Sequence, residues 1–298
     1  MCKVAVVTTG FFDGVHLGHR HVLETLVSSA RERGEEAIVV TFWPHPRTVL
    51  QQDARNFRIL TTLDEKKELL FAAGADRVEV LPFTRSFAAM TADEYLQLLR
   101  DRYGASLVVM GYDNRIGSDK LTAQEIISPV PVVAIDPVIP GLTGNPVIPG
   151  LTGNPISSTR IRKALTEGDV EAANAMLGYS YGLYGVVVAG NRMGRTIGFP
   201  TANMQLYEPL KLVPGNGVYA VEVEVTGNVF KGMCNIGTRP TVGGTARTIE
   251  THILDFDEDI YGLPLQIRFL RRIRDERKFP SLDALKAQLE LDALNCKK

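Results

Sequence analysis

Lys3-Val4-Ala5-Val6-Val7-Thr8-Thr9-Gly10-Phe11-Phe12-Asp13-Gly14-Val15-His16-Leu17-Gly18-His19 is the stretch that decides the fold of this chain. Residues 3–9 are an apolar run suited to a buried strand. Beyond them Val15, Val22, Leu23, Leu26, Val27 and Ala30 recur at the spacing of one helix face. Glycines at a strand-to-helix turn let the backbone approach a phosphate closely, and the helix start offers free N–H donors and a positive dipole end. His16 and His19, three apart, project from the same side of the opening turn. Two imidazoles at an anion site can donate hydrogen bonds to phosphate oxygens as charge builds up there. A histidine near a helix start is by itself more often a cap or a surface residue. Its place after a strand and before a helix is what favours nucleotide chemistry.

The segments that follow continue the alternation. Glu36 to Phe42 reads as a second strand, ending in Trp43-Pro44-His45-Pro46. Thr62-Leu63-Asp64-Glu65 and Thr91-Ala92-Asp93-Glu94 are capping boxes that open helices to about Ala73 and Tyr103. Val78 to Leu81 and Ser106 to Met110 read as strands, the latter delivering Gly111-Tyr112-Asp113 at its end. Such alternation predicts a doubly wound parallel sheet with helices on both faces, binding its ligand outside the carboxyl ends of the strands. Gly10–His19, His45 and Asp113 all fall at that edge.

Pro137 to Asn145 reads PVIPGLTGN and Pro146 to Asn154 repeats it letter for letter. Pro and Gly at this density predict a surface loop, and extra loop length costs little entropy. Ile156-Ser157-Ser158-Thr159-Arg160-Ile161-Arg162 then enters a helix carrying Ala164, Leu165, Met176 and Leu177. Hydroxyls and arginines at a helix start suit a polyphosphate. Plain N-capping with surface arginines is the alternative, and the α/β context favours the phosphate.

After Tyr179 helical periodicity gives way to short alternating strands: Leu183 to Ala189, Val218 to Val225, Val229 to Ile236, Thr248 to Phe256 and Leu265 to Ile273. Thr226-Gly227-Asn228 reads as a hairpin connection, and a helix from Leu282 to about Leu294 closes the chain. The strand density predicts a small antiparallel barrel, with the boundary near residues 178–184. In Gly190–Asn203, Gly194 and Gly198 can wrap backbone N–H groups around phosphates, with Arg195 adding charge. Thr201 and Asn203, two apart, offer hard neutral oxygens of the kind that suit Mg²⁺ beside substrate phosphates. An ordinary Gly/Pro loop has the same spacing. Glu250 shares a strand face with Thr248 and His252, where it can serve as general base for a hydroxyl, or be a solvated strand residue. Arg271, Arg272, Arg274, Arg277 and Lys278 read most simply as a solvated basic stretch, one of which can hold a ligand, and Arg239-Pro240-Thr241 as a constrained loop near the same site.

At 298 residues the chain is long enough for two cores, and 45% hydrophobic with 22% charged content is that of a globular protein. A net charge of −1 argues against a general polyanion binder, so no nucleic-acid partner is expected. No apolar run reaches membrane-spanning length, and no membrane partner is expected. Cys2, Cys234 and Cys296 have no metal-ligand spacing and predict a cytoplasmic protein without disulfides. Oligomeric state is left open by the sequence.

Taken in order, these motifs resemble the prokaryotic bifunctional riboflavin kinase/FAD synthetase family. GFFDGVHLGH (10–19) resembles its nucleotidyltransferase signature, ISSTRIR (156–162) a second one, and PFTRSFAAMTADEYL (82–96) the segment between. GRTIGFPTAN (194–203), NIGTRPT (235–241), TIETHILDF (248–256) and IRDERKF (273–279) resemble the riboflavin kinase module. The resemblance implies an adenylyltransferase domain over 1–180 and a six-stranded kinase barrel with a C-terminal helix over 181–298. It implies phosphoryl transfer from ATP to riboflavin, with Glu250 as base and Thr201 and Asn203 on Mg²⁺. It further implies adenylylation of FMN to FAD, with His16, His19 and Arg162 stabilising charge. Gly10, Phe11, Asp13, Gly14, Asp113, Ser158 and Thr159 would bind ATP or its phosphates in the first half, Gly194, Arg195 and Gly198 in the second, and Arg274 the flavin. The family's G-x-D-F-x-F-G segment reads Gly111-Tyr112-Asp113-Asn114-Arg115-Ile116-Gly117 here, without its aromatics. A riboflavin kinase whose N-terminal half only binds flavin or nucleotide is therefore the alternative.

Overall fold

The computed structural model describes residues 4–50, 57–141, 153–190, 193–241 and 244–297. Packing divides the chain into two compact units, Met1–Ser158 and Thr159–Lys298.

The first unit contains β1 (Ala5–Thr9), α1 (Leu17–Arg33), β2 (Glu36–Trp43), α2 (Pro46–Leu50), α3 (Leu63–Ala72), β3 (Arg77–Pro82), α4 (Arg85–Ala88), α5 (Ala92–Tyr103), β4 (Ala105–Gly111) and β5 (Val132–Ile135). All strand pairs are parallel and the order is β3-β2-β1-β4-β5. The expected doubly wound sheet is present, with its topological switch between β1 and β4. Alternation along β1 decides the two cores. Ala5 and Val7 pack with Tyr95, Leu96 and Leu99 of α5. Val6 packs on the other face with Leu23, Leu26 and Ala30 of α1. Leu23 and Leu26 are fully buried, each contributing about 2 kcal/mol of apolar transfer. Both predicted capping boxes form, at Thr62/Glu65 and Thr91/Glu94. Strand β5 was not anticipated from its short Val-Val-Ala-Ile run. Of the duplicated nonapeptide, residues 142–152 lie outside the described residues. Residues 137–141 and 153–154 carry neither helix nor strand, and Ile156 donates to the Val138 carbonyl at 3.1 Å across the insertion.

The second unit begins in α6 (Ser158–Glu167) and continues through α7 (Val170–Leu177), β6 (Gly182–Val188), α8 (Met193–Thr196), β7 (Ala202–Leu206), β8 (Gly217–Val225), β9 (Asn228–Thr241), β10 (Gly244–Ile253), β11 (Pro264–Arg274) and α9 (Leu282–Lys297). Six strands close into a barrel in the order β10-β7-β6-β11-β8-β9, which leaves no open edge. Tyr219, Phe269, Val223 and Ile267 fill it. The β8–β9 hairpin turns at Thr226 (φ 51°) and Gly227 (φ 79°), the paired left-handed geometry of a tight two-residue turn.

Three expectations need correcting. The single helix expected after Ser158 is broken at Gly168 (φ 81°), where a Cβ would lie 2.7 Å from the Tyr219 hydroxyl, and Asp169 recaps α7. Arg239-Pro240-Thr241 is no loop but the end of β9, paired with β10. The strand expected to reach Phe256 stops at Ile253, and the chain turns at Asp255 (φ 55°). The compact units also divide earlier than the expected 180/181 boundary. Helices α6 and α7 pack with the barrel: Asn174 donates to Phe269 O at 2.8 Å, and Gly215 to Leu165 O at 2.7 Å.

Candidate active sites

In the first unit the turn after β1 is strained and braced from outside itself. Phe12 (φ 48°), Gly14 (φ 86°) and Val15 (φ 35°) are all left-handed, a costly conformation for the two non-glycines. Asp13 maintains it. Its buried carboxylate accepts from the backbone N–H of Leu60 and Thr61, both at 3.0 Å, and from the Thr61 hydroxyl at 3.2 Å. Gly14 N–H donates to the same hydroxyl at 3.0 Å, and Ser158 Oγ to the Asp13 carbonyl at 2.9 Å. Asp13, expected at the phosphate, thus braces the turn. A carboxylate aimed at phosphate would repel it, so the bracing role is the electrostatically favoured one.

His16 N-caps α1, its Nδ1 accepting from His19 N–H at 3.3 Å. The two imidazoles stack with centroids 3.6 Å apart and planes 16° from parallel. Gly18 permits this, since a Cβ there would stand 3.2 Å from the His16 ring. His19 Nδ1 is buried with no hydrogen-bond partner among the described residues. Burial foremost, then His16 and Lys66, hold the His19 pKa well below the usual imidazole value, so it is a neutral hydrogen-bonding group at pH 7.

Beside this turn, at the switch between β1 and β4, lies a cavity of about 410 Å³. Phe11, Phe42, Phe83, Phe87, Met90 and Tyr95 line it together with Asn114, Ile116 and Ser118. The aromatics form a connected cluster: Phe11 lies 5.1 Å from Phe42 and 5.7 Å from Phe83, and Phe42 5.2 Å from Phe87. Tyr95 is fixed by a 2.6 Å bond to the Thr9 hydroxyl. Asp113, expected here, is exposed; its neighbour Asn114 turns inward and donates to Thr9 O at 3.3 Å. Buried Ile116 stands where the family pattern has an aromatic. Of the remaining candidates, Gly10 and Phe11 line the cavity, Thr159 is exposed on α6, and Arg162 is half-buried on α6 in the second unit. Lys66, Phe83 and Phe87 were missed in the sequence. A lysine on an amphipathic helix reads as solvated, and only the fold brings the two phenylalanines to Phe11.

In the barrel, Glu250 pairs in register with Asn203 of β7 on one side and Asn235 of β9 on the other. Gly190 is obligatory beside them: a Cβ there would fall 2.2 Å from the Asn203 amide. Gly194 is equally constrained, with Phe199 O 2.2 Å from its would-be Cβ, and Phe199 N–H donates to Gly194 O at 2.8 Å. This closed turn presents Thr201. Thr201 lines two pockets. One, about 430 Å³, contains Glu250, Asn235, His252 and Arg274 under Leu285 and Leu289 of α9. The other, about 90 Å³, contains Arg195 and Asp257 to Tyr261. Gly198 (φ 86°) is exposed and has open space at its Cα. His252 bonds Pro200 O at 2.7 Å, and burial lowers its pKa. Arg274 reaches the larger cavity, but its guanidinium is held by fully buried Asp292 of α9 at 2.8 Å. Among the described residues no group of three or more His, Cys, Asp or Glu side chains is placed to hold a metal.

Comparison with known proteins covers both halves. Residues 2–131 match the FAD synthetase family and residues 177–298 the riboflavin kinase family. The bifunctional riboflavin kinase/FMN adenylyltransferase of Bacillus subtilis (strain 168) is 37% identical over 97% of this chain and 90% of its own length. The protein of the same description from Escherichia coli (strain K12) is 38% identical over 98% of this chain and 91% of its own. A crystal structure described as a macrolide-efflux protein from Streptococcus pneumoniae superposes with a TM-score of 0.90 at 33% identity, covering 100% of this chain and 95% of that one. Among the described residues no helix is long and apolar enough to cross a membrane. With both halves matched in order and relatives aligned along nearly their whole length, the chain belongs to the bifunctional riboflavin kinase/FMN adenylyltransferase family.

Proposed function

We propose that the chain makes FMN from riboflavin and ATP in its barrel and FAD from FMN and a second ATP at its parallel sheet, releasing pyrophosphate. The observation that carries this reading is the pair of differently built sites. One is an aromatic cavity beside a stacked histidine pair at a sheet switch point. The other is a barrel cavity lined by Glu250, whose strand pairs it in register with Asn203 and Asn235.

In the barrel, Glu250 takes the proton of the flavin 5′-hydroxyl as that oxygen attacks the γ-phosphorus of ATP, and ADP leaves. Gly194, Arg195 and Gly198 belong to the phosphate-binding turn. Thr201 and Asn203 would hold Mg²⁺. The donor chemistry fits, because neutral oxygens leave room for substrate phosphates to complete the shell, and the missing Cβ of Gly190 makes space for the Asn203 amide. Bound there, the ion would neutralise phosphate charge. Arg274, anchored on Asp292, lines the flavin side of the cavity.

At the sheet, the FMN phosphate attacks the α-phosphorus of ATP directly. No covalent enzyme intermediate is needed, so positioning and charge stabilisation dominate. His16, His19, Ser158, Thr159 and Arg162 are assigned that stabilisation, Gly10, Phe11 and Gly14 the phosphate approach, and the aromatic wall the isoalloxazine ring. The functional partition is proposed at 180/181, which assigns residues 159–180 of the sequence to the adenylyltransferase half. Free, buried Cys234 and Cys296 fit a cytoplasmic setting.

Product analysis on the full chain tests the partition. Riboflavin plus Mg·ATP should release ADP and added FMN plus Mg·ATP should release pyrophosphate. ADP without any pyrophosphate would favour the kinase with a binding-only N-terminal half.

A further inference from the structure

Lys66 is a buried lysine of the first unit. It lies in the first turns of α3, 4% exposed, with its ammonium among uncharged oxygens. Nζ donates to Phe11 O at 3.1 Å, Thr41 Oγ1 at 3.3 Å and Phe42 O at 3.5 Å, and lies 5.7 Å from the Trp43 ring centre. Phe11 belongs to the turn that carries the histidine pair, and Thr41 and Phe42 to the end of β2. One cation therefore ties the phosphate-approach turn to the strand whose Phe42 walls the aromatic cavity.

We infer that Lys66 is a positioning residue of the adenylyl-transfer site, clamping the Phe11 carbonyl of the histidine-bearing turn to β2. The inference rests on reading that site as an FMN adenylyltransferase. Burial lowers the Lys66 pKa to about 8, with Asp13 opposing the shift. The charged and titratable groups around it are Asp13 of the turn, whose carboxylate is already engaged by Leu60 and Thr61, and His19 of α1. Glu65, its neighbour on α3, is turned to Thr62 N–H, and β2 contributes only uncharged groups.

The linkage sign separates function from packing. The unfolded lysine keeps its proton to a higher pH than the folded one, so the folded state gains stability as pH rises through about 8 toward the unfolded value, and at neutral pH the buried charge opposes folding. The three polar contacts place this charge on the turn and on the end of β2. An apolar side chain of similar length would remove the cost.

Lys66→Met in the full chain tests this. FAD formation from added FMN should fall about 100-fold through misplacement of the turn, while riboflavin phosphorylation is unchanged and the melting temperature is not lowered. In the wild-type enzyme kcat/KM of adenylylation should decline as pH rises through about 8, and the Lys66→Met residual activity should lack that decline. A variant that keeps wild-type FAD formation, or a wild-type profile flat across that range, would overturn the role of Lys66 while leaving the adenylyltransferase reading intact. A melting temperature lowered in parallel with activity would make Lys66 a packing residue. Wild-type protein that forms no FAD would sink the site's assignment and this inference with it.

Discussion

Glu250 and His19 lie in different compact units, and each serves a different transfer in the proposed scheme. Glu250→Gln preserves shape and removes the base. Formation of FMN should fall by on the order of 10²–10⁴, while added FMN still becomes FAD at the wild-type rate. His19→Ala should do the reverse, losing on the order of 10²–10³ in FAD formation if its contribution is hydrogen bonding to developing charge. Chromatography of the flavins reports both rates from one preparation. Parallel loss of both activities in a folded variant would contradict the two-site assignment. The histidine pair was legible because its spacing and its strand–turn–helix setting are both local. Asp13 was expected at the phosphate, and its bonding was not legible because it depends on Leu60 and Thr61 far along the chain. Asn114 replaces Asp113 at the cavity for the same reason, since a turn's direction is set by what it packs against.

Among the elements, α9 carries a buried ion pair to the barrel. It packs Leu289 and Ala293 on a small core with Ala220, Met233 and Cys296, yet exposes Leu282, Leu291 and Leu294. Its firmest tie is Asp292, fully buried, to Arg274, whose side chain is 17% exposed. Asp292→Ala leaves that guanidinium without its anion and should cost about 3 kcal/mol, read as a lower denaturant midpoint. The KM for riboflavin should rise with it, because Arg274, Leu285 and Leu289 line the cavity. An unchanged midpoint would mean that solvent replaces the pair without cost. The helix itself was visible in the sequence, as were the capped helices α3 and α5 and the alternating strands. Strands β5 and β7 were not, being five residues or fewer and set among Pro- and Gly-rich segments whose pairing comes from neighbours in space. The break between α6 and α7 shows the same limit: the Tyr219 hydroxyl and the Arg272 guanidinium crowd the left-handed Gly168 from far along the chain.

At the scale of the whole molecule, two folds carry two related chemistries on one chain, and the product of the barrel is the substrate of the sheet. Fold class was readable for both because each rests on periodicity, 3.6 against 2. The compact boundary at 158/159 was not, since α6 and α7 carry no sequence mark of the barrel they pack against. The duplicated nonapeptide starts and ends near the Val138–Ile156 hydrogen bond. Deleting residues 146–154 should therefore leave circular dichroism and melting temperature unchanged, whereas a lost cooperative transition would give the repeat a structural role. The central claim, that one chain performs both steps in sequence, is tested most directly by a single time course. Riboflavin and excess Mg·ATP are incubated with the full chain and the flavins separated at intervals. FMN should rise first and then decline as FAD accumulates. FMN that persists with no FAD, or the absence of both products, would contradict the account.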